Sequence, residues 1–207
     1  MAINLQKGQR INLAKSNGAK LMHVCVGINW GAIEKKGIFG LFSTKEAVDL
    51  DASCALYNEK GLPVEVIYYA HLKAKNGSVK HSGDDLTGDM DGDDGLDNEI
   101  ITVDFSKLDE HIHYVVFMLN SFRGQDFGSI PFASLRIYEG TPTKVNEVFA
   151  KYDIAHHPGF AGHVSMVMGY FYKKNGEWKF NAIGEPTKDK KLQGTIDTVT
   201  REYLNIA

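Results

Sequence analysis

The stretch "AVDLDASCALY", residues 47–57, is typical of a β-strand that has one buried face. Successive side chains of a strand point to opposite faces of the sheet, so every second residue of this run shares a face. The residues that can enter an apolar core are Leu50, Ala52 and Cys54. Asp49 and Asp51 then lie together on the other face, where two carboxylates repel each other unless a positive charge lies between them. The stretch thus predicts both a sheet and a place for a cation.

Short runs of similar composition recur along the chain between turn-forming residues. They are rich in Val, Ile, Tyr and Phe and are shorter than typical helices. The eight runs are 21–27, 47–57, 64–69, 100–105, 111–119, 135–139, 163–172 and 178–183. Their hairpin-like spacing, with turns at 58–63 and 173–178, predicts a mainly β fold, an antiparallel β-sandwich. We expect one domain over residues 1–207.

Two further segments have a helical pattern, and a third has mixed character. The helical segments are "NEVFAKY" at 146–152 and "LQGTIDTVTREYL" at 192–204. In the second, the side chains at the spacing of one helix face are Leu192, Ile196, Val199 and Tyr203. We expect both helices at the periphery. Residues 31–47 contain three glycines, and we interpret them as a loop inserted between two strands.

The composition excludes several classes of protein. A net charge of −3, without a basic cluster interleaved with aromatics, gives no reason to expect a nucleic-acid partner. The first twenty residues lack an apolar run of signal-peptide length, and no stretch approaches the roughly 18 continuous apolar residues of a membrane span. We therefore expect a cytoplasmic protein. Cys25 and Cys54 lie in apolar surroundings without CxxC spacing, which predicts buried thiols.

Residues 82–100, "SGDDLTGDMDGDDGLDNEI", form an acidic, glycine-rich stretch that contains eight of the chain's 26 acids and no lysine or arginine. Its four glycines allow tight backbone turns, and Thr87 and Asn98 add further oxygens. Such a loop favours calcium, which takes roughly six to eight oxygen ligands in flexible geometry. Zinc and copper are less favoured, because the loop lacks cysteine and its nearest imidazole is that of His81.

The EF-hand is the first known calcium loop to compare with "DMDGDDGLDNEI". A loop that starts at Asp89 places Asp94 where the invariant glycine belongs and Ile100 where the bidentate glutamate belongs. The flanking segments are also predicted as strands rather than helices. The stretch is therefore not an EF-hand.

Several motifs together carry a resemblance to a known family over nearly the whole chain. They are "INLQKGQRINLAK", "VGINWG", "DLDASCALYNEKG", "SGDDLTGDMDGDDGLDNEIITVDFSKL", "FAKYDI" and "VMGYFYKKNGEWKFNAIGE". In these motifs the chain resembles the TerD-type proteins, known for tellurite resistance and stress-response operons. The resemblance implies a β-sandwich with adjacent calcium sites, somewhat like a C2 domain, and no established catalytic activity.

The strand and the loop supply the candidate ligands for two Ca²⁺ ions. These candidates are Asp49, Asp51, Asp84, Asp85, Thr87, Asp91, Asp93, Asp94, Asp97 and Glu99. The family's acidic element closes as a compact GDGDDE, whereas this chain has the longer "DGDDGLDNE". Either the acids of 91–94 or the residues 97–99 can take the corresponding positions. Asp89 lies between the two acidic groups, and we expect it to face solvent. The 31–47 insertion could cap the metal site.

The function predicted from these features is a calcium-dependent, non-enzymatic adaptor for other proteins of the same stress system, compatible with a membrane-associated complex. A metal-dependent phosphoesterase is one alternative, with His81 as the nearby candidate base. A calcium-dependent membrane-binding module is another, and could use the phenylalanines of "IFGLF" at 38–42. The other histidines considered are predicted to have no metal or catalytic role. They are His111, His113, His156, His157 and His163.

Overall fold

The computed structural model describes residues 2–14, 18–36, 43–154 and 159–204, which form two six-stranded β-sheets packed as a sandwich. The first sheet has the order β1 (Ile3–Asn4), β12 (Lys144–Asp153), β11 (Ala133–Thr141), β3 (His23–Trp30), β9 (Glu99–Asp104) and β8 (Val79–His81). The second has the order β2 (Arg10–Asn12), β14 (Glu177–Thr187), β13 (Ser165–Lys174), β10 (Ile112–Ser121), β6 (Leu50–Asn58) and β7 (Pro63–Ile67). Within the described sheets the strand pairs are antiparallel except for β1 with β12. The predicted mainly β, antiparallel sandwich is confirmed.

The strand predicted from residues 47–57 is β6, an interior strand of the second sheet between β10 and the edge strand β7. Its core-facing side chains are Leu50, Ala52, Cys54 and Leu56, all buried in the main core. The neighbouring strand β10 continues this layer, because Phe117 pairs with Cys54 and Leu119 pairs with Ala52. Burying each large apolar side chain of this layer contributes about 1.5–3 kcal/mol. The alternation read from the sequence therefore places β6 correctly.

The outer face of the second sheet carries the C-terminal helix. The helix α1 (Leu192–Thr198) continues into a π-helical turn at Val199–Tyr203. Ile196 and Val199 pack against Tyr57 and Met118, which point outward from β6 and β10. This element agrees with the peripheral helix predicted at 192–204.

The prediction of a helix at 146–152 is wrong, because these residues lie within β12. The pairing with β11 has a β-bulge: Ile137 pairs with Ala150 and Tyr138 pairs with Val148, so Phe149 is an extra residue. The bulge interrupts the two-residue alternation of the strand. The resulting apolar spacing imitates that of a helix.

The segment 31–47, predicted as an inserted loop, contains two short strands. The strands β4 (Ile33–Lys36) and β5 (Ser43–Glu46) pair with each other in a separate antiparallel hairpin. Their sequences, "IEKK" and "STKE", lack the apolar alternation that marks a buried strand, so propensity gives no signal for them. Residues 37–42, which include the whole of "IFGLF", lie outside the described part of the chain.

Both cysteines are free, buried thiols, as predicted. Burial raises the pKa of the Cys25 thiol to about 11, an effect that a hydrogen bond with Tyr138 partly offsets. Burial also raises the pKa of Cys54. Among the helices of the described residues, none has the length and apolar character needed to cross a membrane.

Candidate metal centre

The start of β6 and the loop that follows β8 bring three aspartates together. Asp49, Asp51 and Asp84 each place a carboxylate oxygen within 4.8 Å of the others, and we call them the first acidic cluster. Asp49 and Asp51 share a face because they are two residues apart on an extended segment. Asp84 belongs to the acidic loop, residues 82–98, which connects β8 to β9 in the other sheet. The cluster thus lies where the two sheets meet.

The first acidic cluster holds its charges at an electrostatic cost. Burial raises the pKa of Asp51 to about 7, and Glu99, Asp49 and Asp84 add to the shift through their negative charges. Burial also raises the pKa of Asp49, although Arg123 opposes this effect. The Nε of Arg123 donates to Oδ2 of Asp49 at 3.1 Å. A further positive charge at this position would relieve the repulsion that Asp51 experiences.

The acidic loop forms a second acidic cluster, made of Asp89, Asp93 and Asp94, whose carboxylate oxygens also lie within 4.8 Å of one another. Asp89 is half-buried, so the prediction that it faces solvent is wrong. Its backbone N–H donates to the Trp30 carbonyl at 2.9 Å and its carbonyl accepts from Ala32 at 3.1 Å. These bonds extend the edge of β3 and hold Asp89 against the sandwich.

Neighbouring amides orient the second acidic cluster. Asn29 donates from Nδ2 to Oδ1 of Asp93 at 3.0 Å. Asn98 donates from Nδ2 to Oδ1 of Asp89 at 3.1 Å and to Oδ2 of Asp85 at 3.2 Å, while its Oδ1 accepts from the Trp30 N–H at 2.8 Å. Asn98 therefore connects the loop to β3 with both ends of its side chain. We expect it to fix the geometry of the loop.

Asp85 and Thr87 form a tight turn beside the first acidic cluster. Oδ1 of Asp85 accepts from the Thr87 N–H, the Thr87 hydroxyl and the Gly88 N–H at 2.9–3.0 Å. Burial opposes ionisation of Asp85, but the bonds from Thr87 and Gly88 outweigh it and lower the pKa. A Cβ at Gly88 would lie 2.6 Å from the Trp30 indole, so the turn requires glycine. Asp85 thus stabilises the loop that carries Asp84.

Five of the predicted ligands lie outside both acidic clusters among the described residues: Asp85 and Thr87 of the tight turn, and the acids Asp91, Asp97 and Glu99. Asp91 is exposed and pairs with Lys45 of β5 at 2.8 Å. The side chain of Asp97 is buried and pairs with Nε of Arg136 at 2.7 Å. It lies directly over Gly27, where a Cβ would be 2.0 Å from Oδ2 of Asp97. Glu99 is buried and bonded to the protein backbone. The structure brings Asp93 and Asp94 together and holds Asp91, Asp97 and Glu99 elsewhere, while their metal-binding roles stay predictions.

Sequence reasoning missed Asp89, Asn29 and Arg123. Arg123 follows the end of β10, and its contact with Asp49 spans 74 residues of sequence. A lone arginine in a turn gives no signal of such a partner. Among the histidines considered, His111 is exposed and His113 and His163 are half-buried. His156 and His157 lie outside the described residues.

The two acidic clusters fit a hard divalent cation. Each offers three carboxylate oxygens, and neither cluster, as found among the described residues, includes cysteine or histidine. Oxygen donors suit Ca²⁺, Mg²⁺ or Mn²⁺, whereas sulfur and imidazole donors suit zinc and copper. Further oxygens are near at hand, because backbone carbonyls and water complete most such sites. The two groups of aspartates can therefore hold metal ions.

The fold and these clusters define a β-sandwich protein with candidate cation sites on its loops. The chain belongs to the TerD family, since a family model described as "TerD domain" matches residues 1–198. It is 34% identical over 204 residues to "Tellurium resistance protein TerZ" of Serratia marcescens, covering 98% of this chain and 97% of that protein. It is 37% identical over 208 residues to "Stress response protein SCP2" of Bacillus subtilis (strain 168), covering 95% and 98%.

The fold is shared with solved structures. A homologue of telluride resistance protein (TerD) from Streptomyces coelicolor A3(2) superposes with a TM-score of 0.62 at 17% identity, covering 84% of this chain and 94% of that one. The relatives named above are resistance and stress-response proteins rather than named enzymes. The chain is accordingly a TerD-family protein of the tellurium-resistance and stress-response type.

Proposed function

We propose that the chain binds two Ca²⁺ ions and acts without catalysis as a calcium-dependent adaptor in a stress response. The observation that carries the proposal is the first acidic cluster, where Asp49, Asp51 and Asp84 converge and Asp51 has a pKa raised to about 7. An oxygen-only site whose negative charge is only partly compensated, here by Arg123, attracts a hard cation. The second acidic cluster supplies the second candidate site.

Calcium fits these sites better than magnesium. The acids come from a strand and from a glycine-rich loop, so their spacing can adapt to the irregular geometry that Ca²⁺ accepts. Mg²⁺ demands a stricter octahedron and loses its water reluctantly. Flexible, carboxylate-rich sites of this kind have dissociation constants of about 10⁻⁷–10⁻⁵ M in sensor proteins. We expect an affinity in the micromolar decades.

The second acidic cluster lies beside the β4–β5 hairpin, and this neighbourhood suggests how calcium acts. Lys45 of β5 pairs with Asp91, and Gly31 forms a bridge with Asp89. An ion bound in the acidic loop neutralises the repulsion among the loop's carboxylates. It thereby favours one arrangement of the loop and the hairpin over others. A partner that recognises this arrangement then binds a larger fraction of the molecules.

The partners we propose are other proteins of the same stress system. The relatives carry the names of tellurium-resistance and stress proteins, and the chain's two thiols are poorly placed to act on tellurium themselves. Cys25 is 1% exposed and Cys54 is fully buried. Burial keeps both thiols protonated and out of reach of solutes. Binding to other proteins therefore explains the role better than direct chemistry at sulfur.

A pull-down from native lysate tests the adaptor. The wild type is used in Ca²⁺ and in EGTA beside the double variant Asp49→Asn/Asp51→Asn. A matched control is Asp109→Asn/Asp197→Asn, which removes the same charge from two exposed positions away from both acidic clusters. We expect one set of proteins retained by the wild type and the control in Ca²⁺, and lost in EGTA and in the Asp49/Asp51 variant. The same proteins in every arm would contradict the adaptor.

The phosphoesterase alternative is weakened by the position of His81. Its side chain is fully buried, its Nε2 lies 3.0 Å from the Ala52 carbonyl, and its Nδ1 accepts from the Gly83 N–H at 3.1 Å. Both ring nitrogens are thus engaged, and neither can take a proton from a metal-bound water. Assays of the purified protein on phosphate esters with Ca²⁺, Mg²⁺ and Mn²⁺ test this alternative, and turnover would favour it.

Calcium-dependent attachment to a membrane is a second candidate, supported by exposed aromatics near the first acidic cluster. Phe122 is 63% exposed, and its N–H donates to the Asp49 carbonyl at 2.9 Å. Its ring packs edge-on against Tyr69, which is also exposed. Sedimentation with anionic liposomes in Ca²⁺ and EGTA, for the wild type and Phe122→Ser, separates this role from the adaptor.

A further inference from the structure

Two buried side chains of the first sheet bind one residue of the second. His81 of β8 and Glu99 of β9 are both fully buried, and Nε2 of His81 lies 3.3 Å from Oε2 of Glu99. The Ala52 N–H of β6 donates to Oε2 of Glu99 at 2.7 Å. The Ala52 carbonyl lies 3.0 Å from Nε2 of His81. The pair thus contacts both backbone polar groups of Ala52.

Ala52 needs these partners because the neighbouring strand ends too early. On one side, β6 pairs with β10 as far as Leu50. On the other side, the register with β7 ends at the pair of Cys54 with Ile67, so Ala52 lies beyond it. A buried N–H or C=O without a partner is strongly destabilising. His81 and Glu99 take the place of the missing strand.

The same two side chains hold the loop on both sides of Asp84. Nδ1 of His81 accepts from the Gly83 N–H at 3.1 Å, which leaves Nε2 as the protonated nitrogen that donates to Ala52. Oε1 of Glu99 accepts from the Asp85 N–H at 3.2 Å. The residues bonded in this way are direct neighbours of Asp51 on the strand and of Asp84 in the loop.

We infer that His81 and Glu99 are positioning residues that fix the separation of Asp51 and Asp84, and that Glu99 acts through the backbone rather than as a metal ligand. This inference rests on the proposed binding of Ca²⁺ at the first acidic cluster. Both carboxylate oxygens of Glu99 already accept bonds from backbone N–H groups. Removing a residue that orients a metal ligand typically lowers metal affinity by about 10- to 100-fold.

The first experiment needs no metal. Amide hydrogen exchange in EDTA is measured by NMR for the wild type, Glu99→Gln and His81→Gln. In Glu99→Gln a side-chain NH₂ replaces one acceptor, so the amide of Ala52 or Asp85 should exchange faster. His81→Gln keeps a donor for the Ala52 carbonyl and removes the acceptor for Gly83, so the Gly83 amide should exchange faster. Unchanged exchange in both variants would overturn the inference.

The second experiment separates positioning from ligation. Eu³⁺ luminescence lifetimes in H₂O and D₂O count the water molecules on the bound ion. We expect Glu99→Gln to bind Ca²⁺ about 10- to 100-fold more weakly with an unchanged water count, whereas Asp51→Asn should gain water on the ion. A gained water in Glu99→Gln would show that Glu99 is a ligand and overturn the inference.

A matched control uses a second histidine–glutamate pair, His71 and Glu65, which lies near β7. Glu65 accepts from the Lys75 N–H at 3.0 Å and lies 3.1 Å from Nε2 of His71, away from the acidic clusters. Glu65→Gln should leave Ca²⁺ affinity unchanged, and equal losses in Glu65→Gln and Glu99→Gln would overturn the inference.

If Glu99→Gln does not fold, His81→Gln decides the question. A wild type that binds neither Ca²⁺ nor Eu³⁺ contradicts the proposed function instead, and the exchange experiment still reports whether the pair holds Ala52 and the loop.

Discussion

Arg123 donates from Nε to Oδ2 of Asp49 at 3.1 Å, although Arg123 is half-exposed and Asp49 is buried. One carboxylate of the first acidic cluster is therefore shared between a protein cation and the proposed metal ion. A guanidinium at this distance stabilises the ionised form of Asp49 and also repels a second positive charge. The arginine and the ion thus act on the same carboxylate with opposite consequences for metal affinity.

Replacing Arg123 with glutamine should strengthen calcium binding. Ion pairs with an exposed partner contribute about 0.2–1 kcal/mol, so the gain in affinity should be about 1.4-fold to fivefold. Calorimetric titration at low ionic strength measures it, and Arg123→Lys, which keeps the charge, is the control. Weaker binding in Arg123→Gln would mean that the arginine supports the ion, for example by ordering Asp49, and would contradict this prediction.

Calcium affinity should fall as the pH decreases through about 7, because Asp51 has a pKa raised to about 7 and must lose its proton to bind a cation. In the metal-free protein, pH acts in the opposite direction on the free energy of unfolding. Between the ordinary aspartate pKa and 7 the folded state binds more protons than the unfolded state, so Asp51 makes the free energy of unfolding decrease as pH rises. Chemical denaturation in EDTA at pH 5.5 and pH 8, for the wild type and Asp51→Asn, measures this difference. An identical pH dependence in both proteins would contradict the raised pKa.

Gly27→Ala should loosen the acidic loop through Asp97. The added Cβ would lie 2.0 Å from Oδ2 of Asp97, so the carboxylate must leave and its ion pair with Arg136 must break. Overpacking of this kind costs about 1–3 kcal/mol. Urea denaturation in EDTA measures the loss, and Gly159→Ala, which has no atom within 4 Å of the new Cβ, is the control. Equal stability of the two variants would contradict the packing of Asp97 on Gly27.

The sequence predicts the sandwich well where side chains alternate without interruption. The pattern of Leu50, Ala52 and Cys54 identifies β6 because nothing disturbs its period. It fails at β12, where the bulge at Phe149 breaks the period, and at the β4–β5 hairpin, whose strands contain a single apolar residue, Ile33. One apolar residue leaves no periodic trace in a sequence.

The candidate site was predictable in composition but not in detail. Charge and alternation identify Asp49, Asp51 and the acidic loop. They cannot separate an acid that faces other acids from one that faces a distant donor, because the partners are far apart in sequence. Glu99 finds the Ala52 N–H 47 residues away, and Asp97 finds Arg136 on β11. The strand order within the first sheet brings Asp97 to Arg136, and the packing of the two sheets brings Glu99 to Ala52.

The measurement that tests the central claim most directly is a calorimetric Ca²⁺ titration of the wild type and of Asp49→Asn/Asp51→Asn, combined with melting curves in Ca²⁺ and in EGTA. We predict binding by the wild type with a dissociation constant in the micromolar decades, and an affinity at least about tenfold lower in the double variant, which should still fold. Binding to the folded state alone should stabilise the wild type by about 2.7 kcal/mol at a hundredfold excess over the dissociation constant. No heat from Ca²⁺ and an unchanged melting temperature in EGTA would contradict the account.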